Sequence, residues 1–257
     1  MSTLKTANQE EALCLLETLV KKAKKTGADA CDAILLKGVS LSQSVRMGKQ
    51  EHLEHSEGSD VGLRVFIGKR QSMVSSSDTS EEALEELVDR AIAMAKVVPE
   101  DEFCGLAEPE QLASIYPDVQ SCDTFEPDAN YLIDLAKRTE DAALNVKGIR
   151  NSEGGSATWG LSTTAMVGSN GFTRAYANSS HSLSVSVIAG EGTKMEGDYD
   201  FTAAVFAEDL DTPENIGKSA GEKAIRRLNP RKAKTATVPV IFDPRVSKSF
   251  AGHLSSA

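Results

Sequence analysis

From Ile149 to Ala207 the chain runs through β-prone residues broken only by short glycine turns, and no other stretch constrains the fold as much. Four segments, Ile149 to Ser152, Ser156 to Ser169, Phe172 to Ala189 and Met195 to Ala207, are rich in Ser, Thr, Val and Gly. Gly154-Gly155, Asn170-Gly171 and Gly190-Glu191-Gly192 separate them as turns, and Asn170-Gly171 is the best hairpin signal because both residues tolerate positive φ. Strands grouped in this way, without helices alternating between them, predict antiparallel pairing.

Helices frame this run and an earlier one. Glu10 to Lys25 carries Leu13, Leu16, Leu19 or Val20 and Ala23 at helical spacing and ends in lysines before Gly27. Ala30 to Leu36 reads as a strand, Ser40 to Glu57 as a long strand with one solvated face, and Val61 to Ile67 as a strand turning at Gly68-Lys69-Arg70 into Gln71 to Ser76. Ser80 to Val98 is the clearest helix, opened by Ser80 and by Glu81 and Glu82, with a stripe of Leu84, Leu87, Val88, Ala91, Ile92 and Ala95. Pro127 to Val146 and Pro213 to Leu228 are the other two. The expected fold is α+β, with antiparallel sheets, flanking helices and two α/β-rich units followed by the start of a further, mostly β domain. The expected organisation is a helix–strands–helix domain at 1–98, a linker at 99–126, a second such domain at 127–234, and the start of a C-terminal domain at 235–257. Ser56-Glu57-Gly58 and Ser152-Glu153-Gly154 are compatible with a remote duplication.

The last segment, VPVIFDPRVSKSFAGHLSSA, reads as a strand at Val240 to Phe242 running into a helix from Ser247. A helix of so few turns has little to pack against, so this is expected to be the front portion of a longer chain, with residues beyond about Thr235 poorly anchored. A net charge of −10 argues against a nucleic-acid surface, and the basic run Arg226-Arg227, Arg231, Lys232 and Lys234 suits a helix C-terminus. Cys14, Cys31, Cys104 and Cys122 form no CxxC pair, no secretory leader opens the sequence and no stretch is apolar enough to span a bilayer. Reduced thiols in a cytoplasmic protein, with neither nucleic acid nor membrane as partner, are the expectation.

Bottom-up, the residues specify no catalytic, cofactor-binding or metal site. His52 and His55 form an HxxH whose members point to opposite sides of a strand, so they cannot share one ion there. The glycine-rich stretches match neither phosphate-binding fingerprint. Ser179-Ser180-His181 is adjacency in sequence only, because catalytic triads assemble in space. Arg64, inside the apolar run VGLRVFI, needs a partner: an ion pair is the structural explanation and a substrate carboxylate the functional one.

An ordered set of features resembles the TldD/PmbA family, whose members are also labelled modulators of DNA gyrase. These are the N-terminal helix, SEGSDVGLRVFIGKRQSMVSSSD from Ser56 to Asp78, the SEEALEELVDRAIAMAK helix, the second Ser-Glu-Gly at Ser152 and the closing VPVIFDP. The resemblance covers essentially the whole chain and about the first half to three-fifths of a typical member. It implies a cytosolic metallopeptidase assembled from two related subunits, one of which carries a zinc-binding HExxxH helix. In such a site two histidines hold Zn²⁺ and the glutamate serves as general base toward the bound water. Laid without gaps over Val240-Ile241-Phe242, that motif's first His falls on Gly252, its Glu on His253 and its second His on Ala257. A one-residue gap brings His253 onto the first His position but puts Leu254 at the base.

The resemblance therefore implies a PmbA-type (TldE-type) non-catalytic subunit without zinc of its own. Its implied partners are a TldD-type subunit that carries the zinc and a peptide or unfolded-protein substrate, with a homodimer open to it in isolation. Leader removal and antitoxin turnover are the activities implied for the pair. Two alternatives stand beside this: a non-enzymatic regulatory or interaction module, and a peptidase whose catalytic residues lie past Ala257.

Overall fold

The computed structural model describes residues 3–256, with side chains from residue 9 onward. Five helices and six strands of regular length occur among the described residues: α1 (Thr3–Thr26), β1 (Ala30–Arg46), β2 (Lys49–Ile67), β3 (Arg70–Ser76), α2 (Glu81–Val97), α3 (Ala129–Leu144), β4 (Ile149–Gly168), β5 (Thr173–Ala189), β6 (Glu196–Ala204), α4 (Pro213–Arg227) and α5 (Pro244–Ser255). No helix among them is long and apolar enough to cross a membrane.

All six strands form one antiparallel sheet in the order β3-β2-β1-β4-β5-β6. The long strand β1 joins the two halves, pairing with β2 on one side and with β4 on the other over most of its length. The fold is thus α+β and antiparallel, as the grouping of strands predicts.

Strand alternation sends odd-numbered residues of β1, β2 and β5 to the helices. Cys31, Ala33, Leu35, Leu63 and Val65 pack with Leu16 and Leu19 of α1 and with Leu87 and Val88 of α2. Burial pushes the Cys31 thiol up to about 11, which keeps it protonated and poorly nucleophilic near neutral pH. Farther along the same face, Val45, Ala157, Trp159 and Leu183 meet Leu132, Leu135 and Ala136 of α3, and Val185 and Val187 meet Ile216, Ala220 and Ala224 of α4. All helix contacts in these cores lie on one face of the sheet. Ser80, Asp128 and Thr212 cap α2, α3 and α4 through their side chains, as such residues do for otherwise unpaired N–H groups.

Three expectations need correction. The stretch read as one strand from Ser40 to Glu57 is a hairpin that turns at Met47-Gly48, both with positive φ (50° and 74°). Met seldom adopts that conformation, so the pair does not look like a turn in sequence. Gly154-Gly155 is no turn: it lies inside β4, where the register to β5 shifts between Ser152 and Gly154. Gly154 has φ of 120°, and a Cβ at Gly155 would stand 2.5 Å from the Ala136 carbonyl oxygen, so the pair lets a bulged strand meet α3 at close range. Val240 to Phe242 form no strand and are exposed, and only the helix α5 that follows takes shape. That helix is anchored at its start, where Arg245 Nη1 lies 2.9 Å from Asp198 Oδ1.

Candidate functional site

With α1 to α4 packed on one side, most of the opposite face of the sheet is open; at its β6 edge Arg245 and Lys248 of α5 lie over the Tyr199 and Phe201 rings. The floor of the open face comes from the even-numbered residues of β1, β4 and β5, which in its middle, at 38–44, 154–164 and 180–186, are all Ser, Thr or Gly. Register places Ser40 beside Ser56 and Gly160, Ser42 beside Thr158, and Gly160 beside Ser180. The Ser42 and Thr158 hydroxyls are 3.1 Å apart, which confirms that these rows share the open side. A trough of about 540 Å³ crosses the strands here, lined by Ser40, Ser56, Asp60, Ser162, Thr164 and Asn178 among others. Farther along the same face, opposite Ser186 and Ser184 of β5, the Tyr199 and Phe201 rings of β6 stack with centroids 6.3 Å apart.

The trough offers many hydroxyl and amide groups and, in Asp60, one carboxylate. It suits hydrogen bonding to another polypeptide's backbone or to a wet protein surface, and it lacks the apolar area of a permanent interface. On the helix side of the same strands, Lys37, Val39, Ser59, Leu161 and Thr163 line a second hollow of about 450 Å³.

Arg64 lies at one end of the open face and is satisfied within the chain. Its Nε is 2.9 Å from Asp32 Oδ1 and its Nη2 is 2.5 Å from Oδ2, a two-pronged pair with a buried carboxylate. The hydrogen bond to Asp32 holds the guanidinium above its ordinary value against the cost of burial. Of the two explanations for Arg64, the structural ion pair is the one formed.

His181, set aside as mere adjacency, is the most heavily buried histidine and sits on the helix side between β5 and the 99–128 connection. Its Nε2 is 3.3 Å from Asp123 Oδ2, yet out of line for a hydrogen bond. Burial lowers the His181 pKa, and the attraction of Asp123 only partly opposes it. Burial also works against the Asp123 carboxylate, but the N–H groups of Ala207, Phe125 and Thr124, with His181, outweigh it and hold that carboxylate low. Ser179 does not complete a triad. Its Oγ donates to the Val205 carbonyl and accepts from Asp123 N–H, which pins the connection to β5. No sequence signal shows that residue 123 would reach residue 181.

A third cluster ties the end of the chain to the sheet edge. Burial opposes the Asp198 charge, but Arg245 and Arg227, with Tyr199 N–H, hold its carboxylate low. Arg227 belongs to the basic run read as a helix C-terminus, and it does close α4. Lys223 pairs with Asp200 at 2.6 Å on the same strand.

The remaining predicted positions stay apart. His52 and His55 are exposed on β2, opposite Ser44 and Leu41 of β1. Gly252 and His253 are exposed on α5, and Ala257 lies outside the described residues. No group of His, Cys, Asp and Glu with the geometry to hold a metal ion occurs among the described residues.

Residues 31–95 match the family model described as PmbA/TldA metallopeptidase domain 1, and residues 123–228 match the one described as PmbA/TldA metallopeptidase central domain. The chain is 34% identical over 247 residues to Metalloprotease PmbA of Escherichia coli O157:H7, covering 95% of this chain and 55% of that protein. It is 32% identical over 252 residues to the Metalloprotease PmbA homolog of Haemophilus influenzae, covering 98% of this chain and 56% of that protein. It therefore spans little more than half the length of these relatives. Among solved structures, a putative modulator of DNA gyrase from Bacteroides thetaiotaomicron superposes with a TM-score of 0.87 at 23% identity, over 94% of this chain and 56% of that one. TldE from Thermococcus kodakarensis superposes with a TM-score of 0.69 at 19% identity, over 82% and 47%. At those identities the likeness is one of fold.

Proposed function

This chain belongs to the PmbA/TldD metallopeptidase family, and from that premise we propose that it forms the first two domains of a non-catalytic, PmbA/TldE-type subunit of a cytoplasmic two-subunit zinc peptidase. One feature of the sequence supports the reading: laid without gaps over the zinc motif that the resemblance implies, the chain has Gly252, His253 and Ala257 at the ligand and base positions. A lone histidine cannot hold zinc in such a site, and without the glutamate there is no base for the bound water. The zinc belongs to a TldD-type partner, and the pair acts on extended or unfolded peptides. The open hydroxyl-rich face supports this role, since it can meet a second polypeptide through polar contacts without a buried apolar core.

The test is to purify the full-length subunit bearing this sequence, alone and mixed with a TldD-type partner, and to follow cleavage of an unstructured peptide. Cleavage by the mixture and none by the subunit alone is expected; robust cleavage by the single chain sinks the proposal and favours catalytic residues beyond residue 257. The solved relatives titled as gyrase modulators favour a second reading, a regulatory interaction module. It predicts no cleavage by the mixture either.

A further inference from the structure

We propose that the first half of β2 is a docking edge for an extended, basic polypeptide segment, which adds to the sheet as a seventh strand. β3 pairs with β2 only from Val61 to Ile67. From Lys49 to Asp60 the strand is bonded to β1 on one side and has no neighbour on the other among the described residues. That is an open ladder about 40 Å long, in which every second residue directs its N–H and C=O outward. The stretch is nearly all exposed and contains no proline, and from His52 to Asp60 its register to β1 is unbroken, the irregularity at Glu51 lying before it. From His52 onward neither a proline nor a bulge stops a strand from adding, and the charges along this edge select what can add.

Charge decides what kind of strand fits. Glu51, Glu54, Glu57 and Asp60 recur along the ladder, and no Lys or Arg lies between Lys49 and Arg64. Their spacing of three alternates sides, so carboxylates stand on both faces of the edge. Glu54 and Asp60 have no ion-pair partner among the described residues. A second copy of this chain would set these carboxylates against their own kind, which opposes edge-to-edge pairing. A segment bearing Lys or Arg on either face meets an opposite charge while its backbone completes the ladder. Glu140 of α3 holds the hairpin in place by accepting N–H bonds from Met47 and Gly48 at the turn, each at 2.8 Å, so the edge is presented in a fixed position.

The proposal concerns binding by this chain itself and does not depend on whether an assembled peptidase cleaves the segment. It is tested by fluorescence anisotropy with a short labelled peptide that alternates Lys with Thr and Val. Three comparisons read it: the same peptide with Glu for Lys, the Lys peptide N-methylated at alternate residues, and the chain carrying Glu54→Lys with Asp60→Lys. Each is expected to bind at least roughly tenfold more weakly, and the charge-reversed chain is expected to prefer the Glu peptide. Hydrogen exchange should slow within residues 49–60 when the Lys peptide binds. Equal binding of the Lys and Glu peptides overturns the proposal. So does undiminished binding of the N-methylated peptide, protection elsewhere in the chain, or dimerisation of the chain through this edge in sedimentation.

Discussion

Removing the Glu140 carboxylate should loosen the β1–β2 hairpin, and the cost can be worked from the structure. Glu140 is fully buried in α3, and both its oxygens are taken by N–H groups of the Met47-Gly48 turn at 2.8 Å. Hydrogen bonds to a charged acceptor are worth about 1.5–3 kcal/mol each when deleted. Met47 and Gly48 are exposed, so water can replace part of what the turn loses, which argues for the lower half of that range. Truncation also removes the one buried Cγ methylene, at about 0.8 kcal/mol. Glu140→Ala is therefore expected to destabilise the chain by about 3–5 kcal/mol. Glu140→Gln keeps the volume and one acceptor but sets an amide N–H₂ against the second turn N–H, for a loss of about 1–3 kcal/mol. Urea unfolding followed by circular dichroism measures both. Native-state hydrogen exchange should show the Met47 and Gly48 amides opening in the variants while the β4 and β5 amides stay slower. A change below about 0.5 kcal/mol in Glu140→Ala, with those amides unaffected, refutes the reasoning.

Three other outcomes follow from the packing and charge of the fold. Arg64→Ala strands the buried Asp32 carboxylate and should cost about 2–4 kcal/mol, with Arg64→Lys intermediate because it loses the two-pronged geometry; equal urea midpoints for all three proteins would contradict the ion-pair account. Gly217→Ala improves intrinsic helix propensity by up to about 1 kcal/mol, yet its Cβ would fall 2.2 Å from the Thr139 carbonyl oxygen and 2.7 Å from Ala142 Cβ, so thermal unfolding should shift downward overall and an upward shift refutes the close α3–α4 contact. Burial depresses the folded-state pKa of His181 below its ordinary 6.5 despite Asp123, so the unfolded chain binds the extra proton first; the stability from this group is complete above that pH and is lost as pH falls through 6.5 to the folded value. His181→Phe should flatten that part of the pH profile of the urea midpoint, and an unchanged slope assigns it to other groups.

The sequence was legible where local chemistry decides. The Ser80 cap with its apolar stripe, the prolines at 127 and 213, and Asn170-Gly171 located α2, α3, α4 and the β4–β5 turn, because each signal acts within a few residues. It was opaque where tertiary contact overrides local preference. Met47 accepts positive φ because Glu140, far away in sequence, bonds the turn. Gly154-Gly155 looks like a turn and is a bulge because α3 presses on it. The resemblance identified the family without revealing its surfaces. An open face of Ser and Thr needs the registers of three strands to recognise, and an unpaired β2 edge needs the end point of β3. His181 and Asp123 meet only because the 99–128 connection folds back over β5.

The central claim is that this polypeptide serves a metallopeptidase without carrying its metal site. Metal analysis of the separately purified full-length subunit and its TldD-type partner, and then of the reconstituted pair, tests it most directly. The account predicts one zinc per pair, retained by the partner when the two are separated and absent from the subunit bearing this sequence. Stoichiometric zinc in that subunit alone, lost together with peptide cleavage on chelation, would contradict it.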